Sequence, residues 1–200
     1  MFIKQLETGY LDNFSYIVGC PQTGKALVID PGPEVEAIVA DAQAAGLQIE
    51  TIVNTHGHGD HTAGNAALKD RTGARVIIHS ADADRYPAAD RFLTDETPLQ
   101  VGEILLEVIH TPGHTPGGIC LHARGNLFTG DTLFVGDSGR TDLAGGHRPT
   151  LGASIRRLMQ LPDDTVVWPG HDYGPTPSST IGWEKRHNVN AREYGFHVPP

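Results

Sequence analysis

Thr51-Ile52-Val53-Asn54-Thr55-His56-Gly57-His58-Gly59-Asp60-His61 runs from an apolar strand through a histidine cluster into a helix expected over residues 62–71. If the backbone stays extended past Thr55, alternation puts His56 and His58 on one side. Asp60 and His61 then fall where the chain turns into the helix. Three imidazoles and a carboxylate within six residues form a ligand set suited to a borderline metal such as zinc or iron. Packing so many polar groups together without a cation would be costly. Gly57 and Gly59 are expected to leave space and to supply unusual dihedrals, so that the side chains converge.

Three later segments share one design, a strand, a glycine turn and a single polar residue. They are Thr111-Pro112-Gly113-His114-Thr115, Thr129-Gly130-Asp131-Thr132 and Trp168-Pro169-Gly170-His171. Each by itself is an ordinary turn, but their order and spacing behind the histidine cluster make them a set. The candidate metal ligands are therefore His56, His58, Asp60, His61, His114, Asp131 and His171.

Outward from these motifs, the chain alternates short apolar runs with helical periodicities. Strands are expected over 14–18, 26–30, 51–55, 75–79, 104–109, 118–121, 126–129 and 165–168. Helices are expected over 34–45, where Val35, Ile38, Val39 and Ala42 share a face, over 150–161, and over 180–190. Each half reads as strands first and then alternating helix and strand. This predicts a single α/β domain over 1–200, a four-layer αββα sandwich with two sheets face to face and helices outside. Residues 136–149 form a long glycine-rich loop, a length that usually carries function or mobility.

Composition narrows the partners. Hydrophobic residues make up 38% and charged residues 20% of the 200, as in a soluble globular chain. A net charge of −9 argues against nucleic acid as the main partner, which would need clustered Lys and Arg. The N-terminus has no long apolar core, so no signal peptide is expected. No apolar run approaches the ~20 residues that span a bilayer, and no membrane association is expected. The cytoplasm is the default location, with Cys20 and Cys120 expected to be reduced and partly buried. The remaining histidines, His79, His110, His122, His147, His187 and His197, lack partner spacing and read as structural or surface residues, although His147 could approach the pocket from its loop. Arg140 could bind a substrate carboxylate or pair with Asp142. Tyr173 could offer its hydroxyl to substrate or pack as a rim aromatic.

The sequence resembles the metallo-β-lactamase superfamily across nearly its whole length. His-x-His-x-Asp-His is that family's signature, and His114, Asp131 and His171 match its later motifs. The resemblance implies an αββα sandwich with a metal site at one edge between the sheets. His56, His58 and His114 would hold one metal, Asp60, His61 and His171 the other, and Asp131 would bridge them. Within the family, Leu11-Asp12-Asn13-Phe14-Ser15-Tyr16, Thr111-Pro112-Gly113-His114-Thr115-Pro116-Gly117, Gly130-Asp131-Thr132-Leu133-Phe134, Gly139-Arg140-Thr141-Asp142 and Glu184-Lys185-Arg186-His187-Asn188 are similar to the glyoxalase II-like branch. Little chain follows His171, so the helical C-terminal region with which full-length glyoxalase II helps bind glutathione is expected to be absent.

What the resemblance implies is a metallo-hydrolase of a thioester, like hydroxyacylglutathione hydrolase. It would use two divalent ions (Zn, or Fe/Mn) to activate water, with Asp60 and Asp131 catalytic and Arg140 and Tyr173 at the substrate. Its partner would be a small-molecule thiol derivative, in a monomer or homodimer. The alternative is a persulfide dioxygenase oxidising glutathione persulfide at one Fe(II). His56, His114 and Asp131 would then form a two-His, one-carboxylate face, with His58, Asp60, His61 and His171 outside it. An inactive metal-binding module is disfavoured because every ligand position is filled. A nuclease is disfavoured by the acidic balance and the lack of an RNA-binding insertion.

Overall fold

A computed structural model describes residues 1–94 and 96–196, so the expectation for His197 lies outside the described residues. The first sheet has the order β1 (Phe2–Thr8), β2 (Asn13–Cys20), β3 (Lys25–Ile29), β4 (Gln48–Val53), β5 (Arg75–His79), β6 (Arg91–Leu93). Its first three strands pair antiparallel and the rest parallel. The second sheet contains β7 (Leu99–Val101), β8 (Ile104–His110), β9 (Ile119–Ala123), β10 (Asn126–Gly130), β11 (Val166–Pro169) and β12 (Ser179–Thr180), with only β10 and β11 parallel.

Patterning explains the layers. Every residue of β2 is buried, as a strand covered on both faces must be. In β8, Ile104, Leu106 and Val108 are buried while Leu105 and Glu107 face out, which is period-two alternation. The core between the sheets joins Phe14, Tyr16, Val18, Leu27 and Val53 to Leu106, Val108, Leu121 and Phe128. On the outer face of the first sheet, α1 (Val35–Ala44) buries Val35, Ile38, Val39 and Ala42, as their spacing predicts, and α3 (Asn65–Thr72) adds Leu68. The second sheet is covered by α4 (Arg148–Leu158), α5 (Ile181–His187) and α6 (Ala191–Tyr194), through Leu151, Ile155, Leu158, Ile181 and Tyr194. The described residues thus form the expected helix–sheet–sheet–helix layers.

Some expectations change. The helix over 62–71 is two pieces, α2 (Gly59–Thr62) and α3, because Gly64 donates its N–H to Pro31 O at 2.9 Å instead of continuing the helix. Its Cα lies so close to the Gly32 backbone that a Cβ has no room. The helix over 180–190 ends at His187, since Asn188 turns to an extended conformation. Strands β1, β6, β7 and β12 were not expected; β1 shows no clean alternation, and the others are two or three residues long. Cys20 and Cys120 are unpaired and buried, in line with the reading.

The sheets are pinned together at one edge. Phe14 N donates to Gly170 O at 2.8 Å and Ile119 N to Thr55 O at 2.8 Å. The buried Tyr16 hydroxyl donates to Pro169 O at 2.6 Å and accepts from Gln5 Nε2 at 3.0 Å. At this edge, β4 runs into the histidine cluster, β10 into Asp131 and β11 into His171, and the turn after β8 carries His114.

Candidate metal centre

All seven candidate ligands converge at that edge. Six of the donors fall into two triads, His56, His58 and His114, and Asp60, His61 and His171, while His56 and His61 also form a third close group with Asp30. In the first, His58 Nδ1 lies 3.1 Å from His56 Nε2 and 2.9 Å from His114 Nε2. In the second, His61 Nε2 lies 3.1 Å from His171 Nε2 and 3.4 Å from Asp60 Oδ2. Asp131 stands between them. Its Oδ2 is 3.4 Å from His114 Nε2, and its Oδ1 is 3.3 Å from both His61 Nε2 and His171 Nε2.

Backbone and side-chain partners fix how the rings face. His114 Nδ1 lies 2.7 Å from Arg140 O and His171 Nδ1 lies 2.8 Å from Leu11 O. A carbonyl only accepts, so both Nδ1 atoms carry hydrogen and both Nε2 atoms point inward. His61 Nδ1 faces the Asp30 carboxylate at 3.0 Å. Thr55 Oγ1 donates to Asp30 Oδ2 at 2.5 Å, which leaves its lone pair to accept from His56 Nδ1 at 3.1 Å. Asn13 Nδ2 holds Asp60 Oδ2 at 2.8 Å.

This donor set fits a cation. Imidazole nitrogens 2.9–3.1 Å apart face each other with at most one proton between them. That is near the roughly 3.3 Å separating two nitrogens on one tetrahedral zinc. Asp131 Oδ1 is buried and accepts no hydrogen bond, an orphan that a bound cation would satisfy. Electrostatics point the same way. Burial, joined by the charge of His61, pushes His56 well below the ordinary histidine value, and burial with the charge of His114 lowers His58, which favours the neutral rings that a metal ion takes. Burial also disfavours charge on His61, but Asp131 and Asp30 outweigh it and hold the ring well above the ordinary value. Burial likewise works against Asp131, yet the charge of His61 and the neighbouring His171 ring hold its carboxyl well below the usual range. The second triad is thus built around a positive charge, and an ion binding there displaces a proton.

The pocket over this edge is lined by Leu11, Asp60, Asp131, Phe134, Arg140 and Tyr173 among others. Tyr173 stacks on His171 with ring centroids 4.6 Å apart and is 54% exposed, so its hydroxyl is free to meet a ligand. Arg140 lines the pocket but is paired through two hydrogen bonds of 2.7 Å with Asp142. His147 is not among the lining residues; it precedes α4 and its Nδ1 meets Thr150 Oγ1. His79 and His110 stack on one another, His122 pairs with Glu107, and His187 stacks on Trp183.

Neither glycine in the cluster has a positive φ. Gly57 is needed because a Cβ would run into Arg85, whereas Gly59 has open space around it, so the expected dihedral role is corrected to close approach at Gly57 alone. Sequence reasoning missed Asp30 and Asn13, which hold His61 and Asp60. The signal for Asp30 was a charged residue closing an apolar strand ahead of Pro31-Gly32.

A family model for the metallo-beta-lactamase superfamily matches residues 8–171. The hydroxyacylglutathione hydrolase of a Polaromonas species is 41% identical over 178 residues, which cover 86% of this chain and 67% of that protein. The chain thus spans about two thirds of the length of that relative. The crystal structure of ETHE1 from Myxococcus xanthus superposes with a TM-score of 0.87 at 33% identity, covering 99% of this chain and 88% of that one. That of TTHA1623 in a di-iron-bound form gives 0.81 at 33% identity, covering 94% and 99%. With its ligand motifs gathered at the edge of a two-sheet sandwich, the chain belongs to the metallo-beta-lactamase superfamily.

Proposed function

We propose that the chain is a metallo-hydrolase that cleaves a thioester of a small thiol, as a hydroxyacylglutathione hydrolase does. The observation that carries this reading is the pair of closed donor triads with one Asp131 oxygen directed at each. His56, His58 and His114 would hold one divalent ion, Asp60, His61 and His171 a second, and Asp131 would bridge them. Zinc, iron and manganese all suit these ligands. When bound, such ions lower the pKa of water and polarise a carbonyl.

The remaining work falls to the chain itself. Asp131 keeps the two donor sets in register. Asp60, steadied by Asn13, turns toward the pocket and would accept a hydrogen bond from the attacking water, so that the water's oxygen lone pair faces the acyl carbon. Tyr173 donates its hydroxyl to the substrate, and Arg140 takes a substrate carboxylate by exchanging it for Asp142. A thiolate leaves readily, so no strong general acid is required, and no Glu or Lys is among the described residues that line the pocket. The unpaired, buried cysteines suit a reducing cytoplasm. No helix among the described residues is long and apolar enough to cross a membrane. The protein acts as a monomer or homodimer on a small molecule, not on nucleic acid.

The test is hydrolysis of a hydroxyacyl-glutathione thioester by metal-loaded protein, followed by loss of thioester absorbance. Asp131→Ala and His61→Ala should each lose most of the activity. Wild-type rates in both variants with metal chelated would overturn the reading. The likeness to ETHE1 favours a second one, the single-Fe(II) persulfide dioxygenase. Stoichiometric oxygen uptake with glutathione persulfide by Fe(II)-loaded protein, lost in His114→Ala, would replace the hydrolase with it.

A further inference from the structure

Asp82 is fully buried, lines no part of the pocket and belongs to neither donor triad. It sits in the 3₁₀ turn Ser80–Asp82 that follows β5. Its Oδ2 accepts from Gly57 N at 2.8 Å and from Thr115 Oγ1 at 2.8 Å. Its Oδ1 accepts from Gly117 N at 2.8 Å and lies 3.6 Å from Arg85 Nε. Gly57 separates His56 from His58. Thr115 follows His114, and Gly117 closes the same turn. The carboxylate therefore joins the two loops that supply the first triad, one from each sheet.

A buried carboxylate is tolerated only while its acceptor sites are filled. Three of the four groups that fill those of Asp82 come from the loops carrying His56, His58 and His114. Drawing the loops apart would strand the charge, so the charge holds them together. The close fit is visible in the glycines. A Cβ on Gly117 would lie 2.6 Å from Asp82 Cγ, and one on Gly57 would meet Arg85 on the same turn. The second triad has its own supports, namely Asn13 on Asp60, Asp30 on His61 and Leu11 O on His171.

We propose that Asp82 is a positioning residue that sets the spacing of His56 and His58 against His114, and so selectively tunes the affinity of that triad for a metal ion. This rests on the reading of the edge as a metal centre, though not on which substrate it serves.

The test is stepwise zinc binding to the metal-free chain by competition with a chromophoric chelator, with histidine ring nitrogen resonances assigning each step to a triad. Asp82→Asn should weaken the His56, His58 and His114 site by about 10–100-fold, the usual effect of removing a ligand's outer partner, and leave the other within about threefold. Thr115→Val removes one of the donors while keeping Asp82, and should weaken the same site by less. Asn13→Ala should show the opposite selectivity. Equal weakening of both sites by Asp82→Asn would make the residue a general scaffold and overturn the proposal, as would unchanged affinity in both Asp82→Asn and Thr115→Val. If the unmutated chain holds no ion on His56, His58 and His114, the metal-centre reading falls along with it.

Discussion

Tyr16→Phe deletes a single oxygen from the seam between the sheets. In the structure that oxygen donates to Pro169 O at 2.6 Å and receives Gln5 Nε2 at 3.0 Å. Gln5 Nε2 also donates to Pro177 O at 2.9 Å, so it keeps a partner in the variant. The ring contacts with Phe14, Phe128 and Trp168, at centroid separations of 6.3, 5.1 and 6.1 Å, are retained by phenylalanine. What is lost is one buried neutral hydrogen bond and a half-buried one from Gln5, and what remains is a buried carbonyl without its donor. Together these cost about 1–3 kcal/mol. For a chain of this size, each kcal/mol moves Tm by roughly 2–4 °C, so a fall of about 2–12 °C is expected. Burial pushes the Tyr16 phenol well above its ordinary pKa, so it stays a donor throughout the neutral range and the loss should not vary with pH there. Urea or thermal unfolding of the metal-free protein measures it. A loss below about 0.3 kcal/mol, smaller than any buried hydrogen bond of this kind, would refute the claim that this contact pins the sheets.

Gly113→Ala would drive a Cβ into the backbone of Leu151 at a residue with φ near +136°; a loss of about 1–3 kcal/mol is expected by denaturant unfolding, and an unchanged midpoint would contradict it. The hydrogen bonds and charge of Arg140 hold the Asp142 carboxyl down to about 2 from 3.8. A lowered carboxyl pKa stabilises the pair above the unfolded value and loses that stabilisation as pH falls through the folded one. An NMR titration should therefore place the midpoint near 2, returning toward 3.8 in Arg140→Gln. Chelation of metal from the loaded protein should lower apparent stability by about 4 kcal/mol where free metal had stood at 1,000 times Kd, read as a fall in Tm. No change in Tm on chelation would mean that the ions do not bind the folded edge.

The parts of this architecture that were legible in the sequence are those in which local pattern and tertiary role agree. Val35, Ile38, Val39 and Ala42 mark α1 because one face of an isolated helix must find a core, and the core they find is the outer face of the first sheet. The convergence of the candidate metal ligands was legible because each stands in a glycine turn behind an apolar strand, where a polar side chain has no packing role. What the sequence hid depends on distant neighbours. The break at Gly64 comes from the approach of Pro31 and Gly32, which no local propensity records. Asp82 lies in Ser80-Ala81-Asp82-Ala83-Asp84, an unremarkable polar turn until the loops around Gly57 and Thr115 fold onto it. Arg140 had two readings of equal standing, and in the folded protein it pairs with Asp142.

Each triad takes donors from both sheets. His58 and His114 are 56 residues apart, and His61 and His171 are 110 apart. An ion held in either place would act as a clasp across a long stretch of chain, tying segments of both sheets together in the folded state. A chain cut between Leu93 and Leu99, in the stretch connecting the two sheets, would yield fragments that each hold part of both sites. Metal-dependent reassembly would make the same seven side chains a lock on the sandwich as well as its candidate metal ligands.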